Sequence, residues 1–159
     1  MLLRLRNIWK SYGVREVLRG ISLDAEGGRI SCIIGPNGSG KTTILRIADL
    51  LEAPDAGEIA FDGDDVMAMG PEERIEYRRR MAMVFQQPAL YDLSVYDNIA
   101  MGLKIRGIDK VVAGKRVEEA LKAVNLYDLR SARAHSLSGG EAQRLCLAGA
   151  MVVEPEGLL

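Results

Sequence analysis

The stretch Cys32–Ile44, CIIGPNGSGKTTI, limits what this chain can fold into more than any other, because Gly35 to Thr42 satisfies G-x-x-x-x-G-K-[ST]. That pattern calls for a strand before it and a helix after it. Ile30 to Ile34 is an apolar run that suits a buried strand, and Ile44, Leu45, Ile47, Leu50 and Leu51 follow at helical spacing. A compact anion carrying several charges, such as a triphosphate, needs many donors close by with no bulky side chains between. Gly35, Gly38 and Gly40 permit that approach, and the positive end of the following helix adds its field. Lys41 is predicted to reach the β and γ phosphates, and the Thr42 hydroxyl to ligate a magnesium ion on the same oxygens. The competing structural reading, a glycine-rich turn with a solvated lysine, leaves the full pattern in its strand-to-helix context without a cause.

With 159 residues, 48% of them hydrophobic, the chain has the size of one ordinary domain and can bury a sizeable core. Its 21 basic and 22 acidic residues nearly cancel, so no global field directs it to nucleic acid or to an anionic surface. Direct nucleic-acid binding is not expected. The run Arg78–Arg80 reads as a solvated helix end. Uncharged runs near 30–40 and 81–91 fall short of the roughly 18 to 20 apolar residues that a membrane helix requires. The N-terminal alternation suits a strand and lacks the apolar centre of a secretion signal, which points to a cytoplasmic location. Cys32 and Cys146 stand apart in apolar surroundings, and both are expected in the core.

Taken in order, residues 2–9 and 20–25 read as strands, with turns at Tyr12-Gly13 and Gly27-Gly28. Tyr12 offers a flat face on which a base could stack, although an aromatic residue beside a glycine is common without any ligand. A turn and short strand are expected in APDAGEIAFDG. Pro71-Glu72-Glu73 opens a helix that should end near Arg80, and residues 81–85, MAMVF, suit a buried parallel strand that Gln86-Gln87-Pro88 stops. Gln86 thus leaves the end of a strand, where open α/β sheets place ligand contacts. Residues 94–106 and 110–126 read as two helices of a helical subdomain.

Ahead of AQRLCLAGAMVV stands Leu137-Ser138-Gly139-Gly140-Glu141. Ser138 and Glu141 make a capping box, which accounts for the serine and glutamate but not for the paired glycines. Two glycines at a helix start cost backbone entropy and make sense if something approaches the helix N-terminus closely.

In these residues the chain resembles the nucleotide-binding subunit of an ATP-binding cassette (ABC) transporter. The likeness runs through Tyr12, the Walker A loop GPNGSGKTT, the Q-loop at Gln86, a helical subdomain and the signature LSGGE, in the family's order. It implies an α/β P-loop NTPase fold, with a RecA-like three-layer core, a small antiparallel β subdomain and a helical subdomain. The core with Walker A and the Q-loop would span 1–92, the helical subdomain 93–137, and the returning signature helix 138–159. It further implies ATP and magnesium as ligands. Tyr12 would stack on adenine, and Gly35, Pro36, Asn37, Gly38, Ser39, Gly40, Lys41, Thr42 and Thr43 would hold phosphates. Gln86 would contact magnesium, with Lys41 and Gln86 serving catalysis. Leu137, Ser138, Gly139, Gly140 and Glu141 would face the ATP of a second ATPase subunit in a head-to-tail homodimer, docked on transmembrane permease subunits at the inner face of the membrane.

The family pattern also continues into a Walker B strand with an aspartate, a catalytic glutamate and a switch histidine, whereas Gly157-Leu158-Leu159 stands where that strand would begin. The C-terminal core strands are therefore expected to be absent, which would expose apolar surface beside the Walker A strand. His135 precedes the signature and reads as an ordinary loop residue, Glu154 and Glu156 take no catalytic role, and Gly149 stands where the family usually has arginine. The leading expectation is an ATP-hydrolysing transporter subunit, with YDLSVYDNIAMGLKIRG resembling importer ATPases, those for inorganic oxyanions among them. A module that binds ATP without turning it over, or a vestigial truncated cassette, is the alternative. A soluble ABC protein of translation or DNA repair is a third.

Overall fold

The structure, a computed structural model, describes residues 2–159. The chain divides into two compact units, one running to Met81 and including Leu159, the other Ala82–Leu158. That division falls ahead of residue 92, where the core was expected to end.

The first unit is built on an antiparallel sheet. Strands β1 (Leu2–Tyr12) and β2 (Arg15–Glu26) form a long hairpin, β3 (Ala56–Phe61) pairs with β1, and β4 (Asp64–Asp65) borders β3, giving the order β2-β1-β3-β4. Alternation along β1 turns Leu3 and Leu5 inward while Arg4 and Arg6 stay outside. A shift in register after Leu5 then buries Ile8 in place of Asn7. Against the inner face lie helix α1 (Lys41–Ala48), through Ile44, Ile47 and Ala48, and helix α2 (Pro71–Arg80), through Tyr77.

Helix α2 has the predicted bounds, because its signals are local. Pro71 occupies the first turn, Glu72 and Glu73 stand at the positive end, and three arginines close the negative end. Tyr77 packs edge-on against Phe61 with ring centroids 5.0 Å apart, and its hydroxyl donates to the Ala48 carbonyl. The arginine run is more than a solvated end: the Arg80 guanidinium lies 4.2 Å from the Phe61 ring centroid and pairs with Asp62 at 2.9 Å.

The expected strand at Ile30–Ile34 does not form. Residues 29–36 carry no regular structure, and Ile30 and Ile34 are 95% and 93% exposed. A strand exists only through its ladder, and every pairing of the four-stranded sheet joins other segments. Cys32, expected in the core, is exposed for the same reason. Helix α1 also stops at Ala48, short of Leu50 and Leu51, because Leu50 turns to a positive φ of 53°.

The second unit is helical. Helices α3 (Val95–Ile105), α4 (Lys110–Ala123) and α5 (Gly139–Met151) bury one stripe each, Val95, Ile99 and Leu103 meeting Val117, Leu121, Leu145 and Ala148. Ser94 caps α3 by accepting from the Asp97 N–H, and Asp109 caps α4 by accepting from Val111 and Val112. Of residues 81–85, only Met81–Ala82 (β5) is a strand, in a two-stranded sheet with β6 (Gly157–Leu158). His135 lies exposed in a single 3-10 turn, Ala134–Ser136.

Candidate functional site

Strand β2 fixes where the glycine-rich loop becomes a helix. Gly40 is buried at the start of α1 with φ 89°, and a Cβ there would lie 2.7 Å from Leu18 Cδ2 and 3.2 Å from the Val17 carbonyl oxygen. Only glycine accommodates both the left-handed backbone and that contact. At Gly35 a Cβ would meet Ser39 Oγ at 2.8 Å, so the loop closes tightly on itself there too. The first bond of α1 is Ile44 N–H to the Gly40 carbonyl, at 2.9 Å. The N–H groups of Lys41, Thr42 and Thr43 precede it and have no partner within the helix.

No side chain caps this helix start, and no acidic residue stands in its first turn. Lys41 instead turns back over the loop, donating from Nζ to the carbonyls of Gly35 and Pro36 at 2.8 Å each. Both acceptors are neutral, so the ammonium charge and the helix dipole add at one place. Pro36, Asn37, Gly38 and Ser39 form the exposed part of the loop, where Ser39 N–H returns to the Pro36 carbonyl at 3.3 Å. Thr42 is exposed on the first turn of α1. A glycine-lined, uncapped helix start with a lysine that can swing from two carbonyls to an anion fits a phosphate chain and its counter-ion.

Tyr12 ends β1 beside the turn at Gly13, and its ring is 47% exposed. Its hydroxyl donates to Glu52 Oε1 at 2.5 Å. The nearby carboxylate raises the phenol above its ordinary pKa. Glu52 was not singled out in the sequence, since it lies forty residues from Tyr12 and belongs to no motif.

Asp49 was also missed. It follows α1 directly, is 8% exposed, and its Oδ1 has no hydrogen-bond partner among the described residues. Burial pushes its carboxyl up to about 6, against the pull of Arg78. An acid on the apolar side of a helical pattern was the available signal.

In the helical unit, the LSGGE segment adopts the capping box. Ser138 Oγ accepts from the Glu141 N–H at 3.4 Å, and Glu141 Oε2 accepts from the Ser138 N–H at 2.8 Å and from its hydroxyl at 2.6 Å. Those bonds hold the Glu141 carboxyl below its ordinary value. Leu137 is half-buried, while Ser138, Gly139 and Gly140 are exposed. Among the described residues, nothing beyond its chain neighbours and its own turn of helix lies within 4 Å of a Cβ built on Gly139, and at Gly140 the nearest such atom is an Arg144 nitrogen at 3.8 Å. Internal packing does not call for these glycines. Gln86 lies in an exposed bend of this same unit.

A family model described as "ABC transporter" matches residues 18–159, the glycine-rich loop and LSGGE included. This chain belongs to the ABC transporter family. It is 41% identical to the spermidine/putrescine import ATP-binding protein PotA of Acetivibrio thermocellus, covering 100% of this chain and 44% of that protein. It is likewise 41% identical to the tungstate uptake system ATP-binding protein TupC of Peptoclostridium acidaminophilum, over 100% of this chain and 71% of the relative. With the phosphate import ATP-binding protein PstB 1 of Nitrosococcus oceani it shares 44% identity, over 99% of this chain and 60% of that one. The chain therefore spans from under half to about seven tenths of the length of these ABC relatives.

Two solved structures carry the same α/β P-loop NTPase fold. Part of the ABC transporter complex cbiONQ, cbiO1 from Clostridium perfringens, superposes with a TM-score of 0.86 at 29% identity, covering 98% of this chain and 63% of the other. A dimeric ATP-binding cassette in a post-hydrolysis state, bound to ADP and Pi, gives a TM-score of 0.87 at 29% identity, over 96% and 70%. The expected family and fold class are borne out. Among the described residues, no helix is long and apolar enough to cross a membrane.

Proposed function

We propose that this chain is the ATP-binding part of an ABC importer, with the uncapped helix start at Gly40 as the observation that carries the reading. Gly35 to Thr43 hold the triphosphate, every residue but Pro36 offering a backbone N–H, and Lys41 exchanges its two carbonyl acceptors for β and γ oxygens. Tyr12 gives the base its platform. Thr42 and Gln86 are the residues that would hold magnesium, which would supply charge neutralisation at the phosphoryl group being transferred. Lys41 adds its own charge there, which lowers the cost of the developing negative charge.

The signature Leu137–Glu141 serves a second ATPase subunit in a head-to-tail homodimer. The exposed glycines support this, because a phosphate of another chain can approach Gly139, and Gly140 beside the Arg144 guanidinium, without a side chain in the way. On this reading 1–92 is the nucleotide-binding core, 93–137 the helical subdomain and 138–159 the signature helix, docked on permease subunits at the cytoplasmic face. The cargo class is an inorganic oxyanion, for which TupC and PstB 1 speak and PotA does not. ATP hydrolysis belongs to the assembled transporter.

Thermal melting of the chain with and without Mg-ATP tests the binding step. A ligand at a hundredfold excess over its Kd adds about 2.7 kcal/mol, so the melt shifts upward. Lys41→Ala abolishes the shift without lowering the unliganded melting temperature. A melt insensitive to Mg-ATP overturns the proposal.

A further inference from the structure

The segment that follows α1 reaches back to the Tyr12 hydroxyl. Glu52, four residues beyond the last turn of α1, accepts from that hydroxyl at 2.5 Å. Glu52 is itself held: its carboxylate lies 3.5 Å from Lys10 Nζ, which donates to the Ala53 carbonyl at 2.8 Å and to Asp55 at 3.3 Å. Asp55 in turn accepts from the Ser11 N–H at 2.6 Å. The end of β1 and the loop after α1 are thereby laced together around one phenol. Lys10 Nζ also stands over the Tyr12 ring, 5.7 Å from its centroid, while the ring stays 47% exposed.

We propose that Glu52 is a positioning residue that sets the Tyr12 ring at a fixed distance from the Lys41–Thr43 phosphate donors, so that one nucleotide spans both. The inference rests on the nucleotide-binding reading above and assigns to Glu52 a role that the motifs do not. An exposed tyrosine at a turn rotates freely about χ1 and χ2, and ordering it on binding costs affinity. A phenol tied at its hydroxyl carries that cost before the ligand arrives. The energetic signature is specific. Loss of the tie weakens ligands that have a base and leaves those that have only phosphates.

The test titrates the full chain with Mg-ATP and with Mg-tripolyphosphate, which lacks the base. Glu52→Ala is expected to weaken Mg-ATP about tenfold, the equivalent of one lost charge-assisted hydrogen bond, with tripolyphosphate unchanged. Tyr12→Phe, which removes only the hydroxyl, has the same effect, and the double variant is no worse than either single one. Glu52→Gln, whose amide oxygen still accepts, restores most of the affinity. The inference is overturned if Glu52→Ala weakens both ligands equally, the mark of a merely structural role. It is also overturned if Glu52→Ala leaves the ratio of the two affinities unchanged while Tyr12→Ala lowers it. Should the unaltered chain bind neither ligand, the nucleotide reading itself falls, and Glu52 with it.

Discussion

Helices α1 and α5 both begin beside glycines, and they treat their first backbone donors in opposite ways. At α5 the chain answers its own donors, with Ser138 and Glu141 bonded reciprocally and a carboxylate seated on the positive end. At α1 no side chain does so, and the nearest charge is a lysine ammonium. The glycines differ in the same sense: Gly40 is required by Leu18 and Val17 of the same chain, while a Cβ would meet open space at Gly139 and only an ordinary contact with Arg144 at Gly140. A helix start that leaves its donors open suits an anion. One that is already capped, with two glycines that internal packing does not call for, leaves room for a close approach from outside.

Gly40→Ala puts the strongest strain on this contrast. The Cβ clash and the left-handed φ together should cost roughly 2–4 kcal/mol, read as a fall in melting temperature with loss of the Mg-ATP shift. An unchanged melt would show that β2 does not hold the loop.

Next in size are the carboxylates of the two regions, which titrate in opposite directions. Asp49 has its folded pKa raised to about 6 from an ordinary 3.8, so its ionisation opposes folding. Stability from this group is greatest below the ordinary value, falls as pH rises towards 6, and is level above it. Asp49→Asn should therefore raise stability by about 1–3 kcal/mol at pH 8 and change little at pH 4, measured by denaturant unfolding at both pH values. Glu141 runs the other way, contributing above its ordinary 4.5 and losing its contribution as pH falls through its lowered folded value.

Ser138→Ala should cost about 1 kcal/mol at any pH above that range, the loss of one N-cap. Smallest of all, Gly140→Ala should move stability by no more than about 0.5 kcal/mol, since nothing in the chain opposes a Cβ there. If it destabilises as strongly as Gly40→Ala, the two helix starts are not different in kind.

Where the sequence was informative, the signal lay within a few residues of its effect. Pro71 with two acids gave α2, and Ser138 with Glu141 gave the start of α5. The tight glycine-rich turn into α1 was legible for the same reason, its glycines, lysine and threonine being contiguous. Ile30–Ile34 misled because apolar content was read as a strand, whereas strands are made by partners far away in the chain. Glu52 and Asp49 were not visible for the complementary reason. What makes Glu52 notable is a phenol forty residues back, and what makes Asp49 notable is a buried Oδ1 that finds no hydrogen-bond partner among the described residues once the chain has packed around it.

The uncovered segment at 30–34 has a consequence for handling as well as for folding. Ile-Ser-Cys-Ile-Ile is short, uncharged, free of proline and rich in β-branched residues, and its isoleucines at 30 and 34 are almost wholly in water. Such a segment templates the addition of like segments from other molecules, stacked through backbone hydrogen bonds. Self-association of the isolated chain would then follow concentration rather than nucleotide, and a charged residue set at Ile34 would act as a gatekeeper that keeps the solution clear.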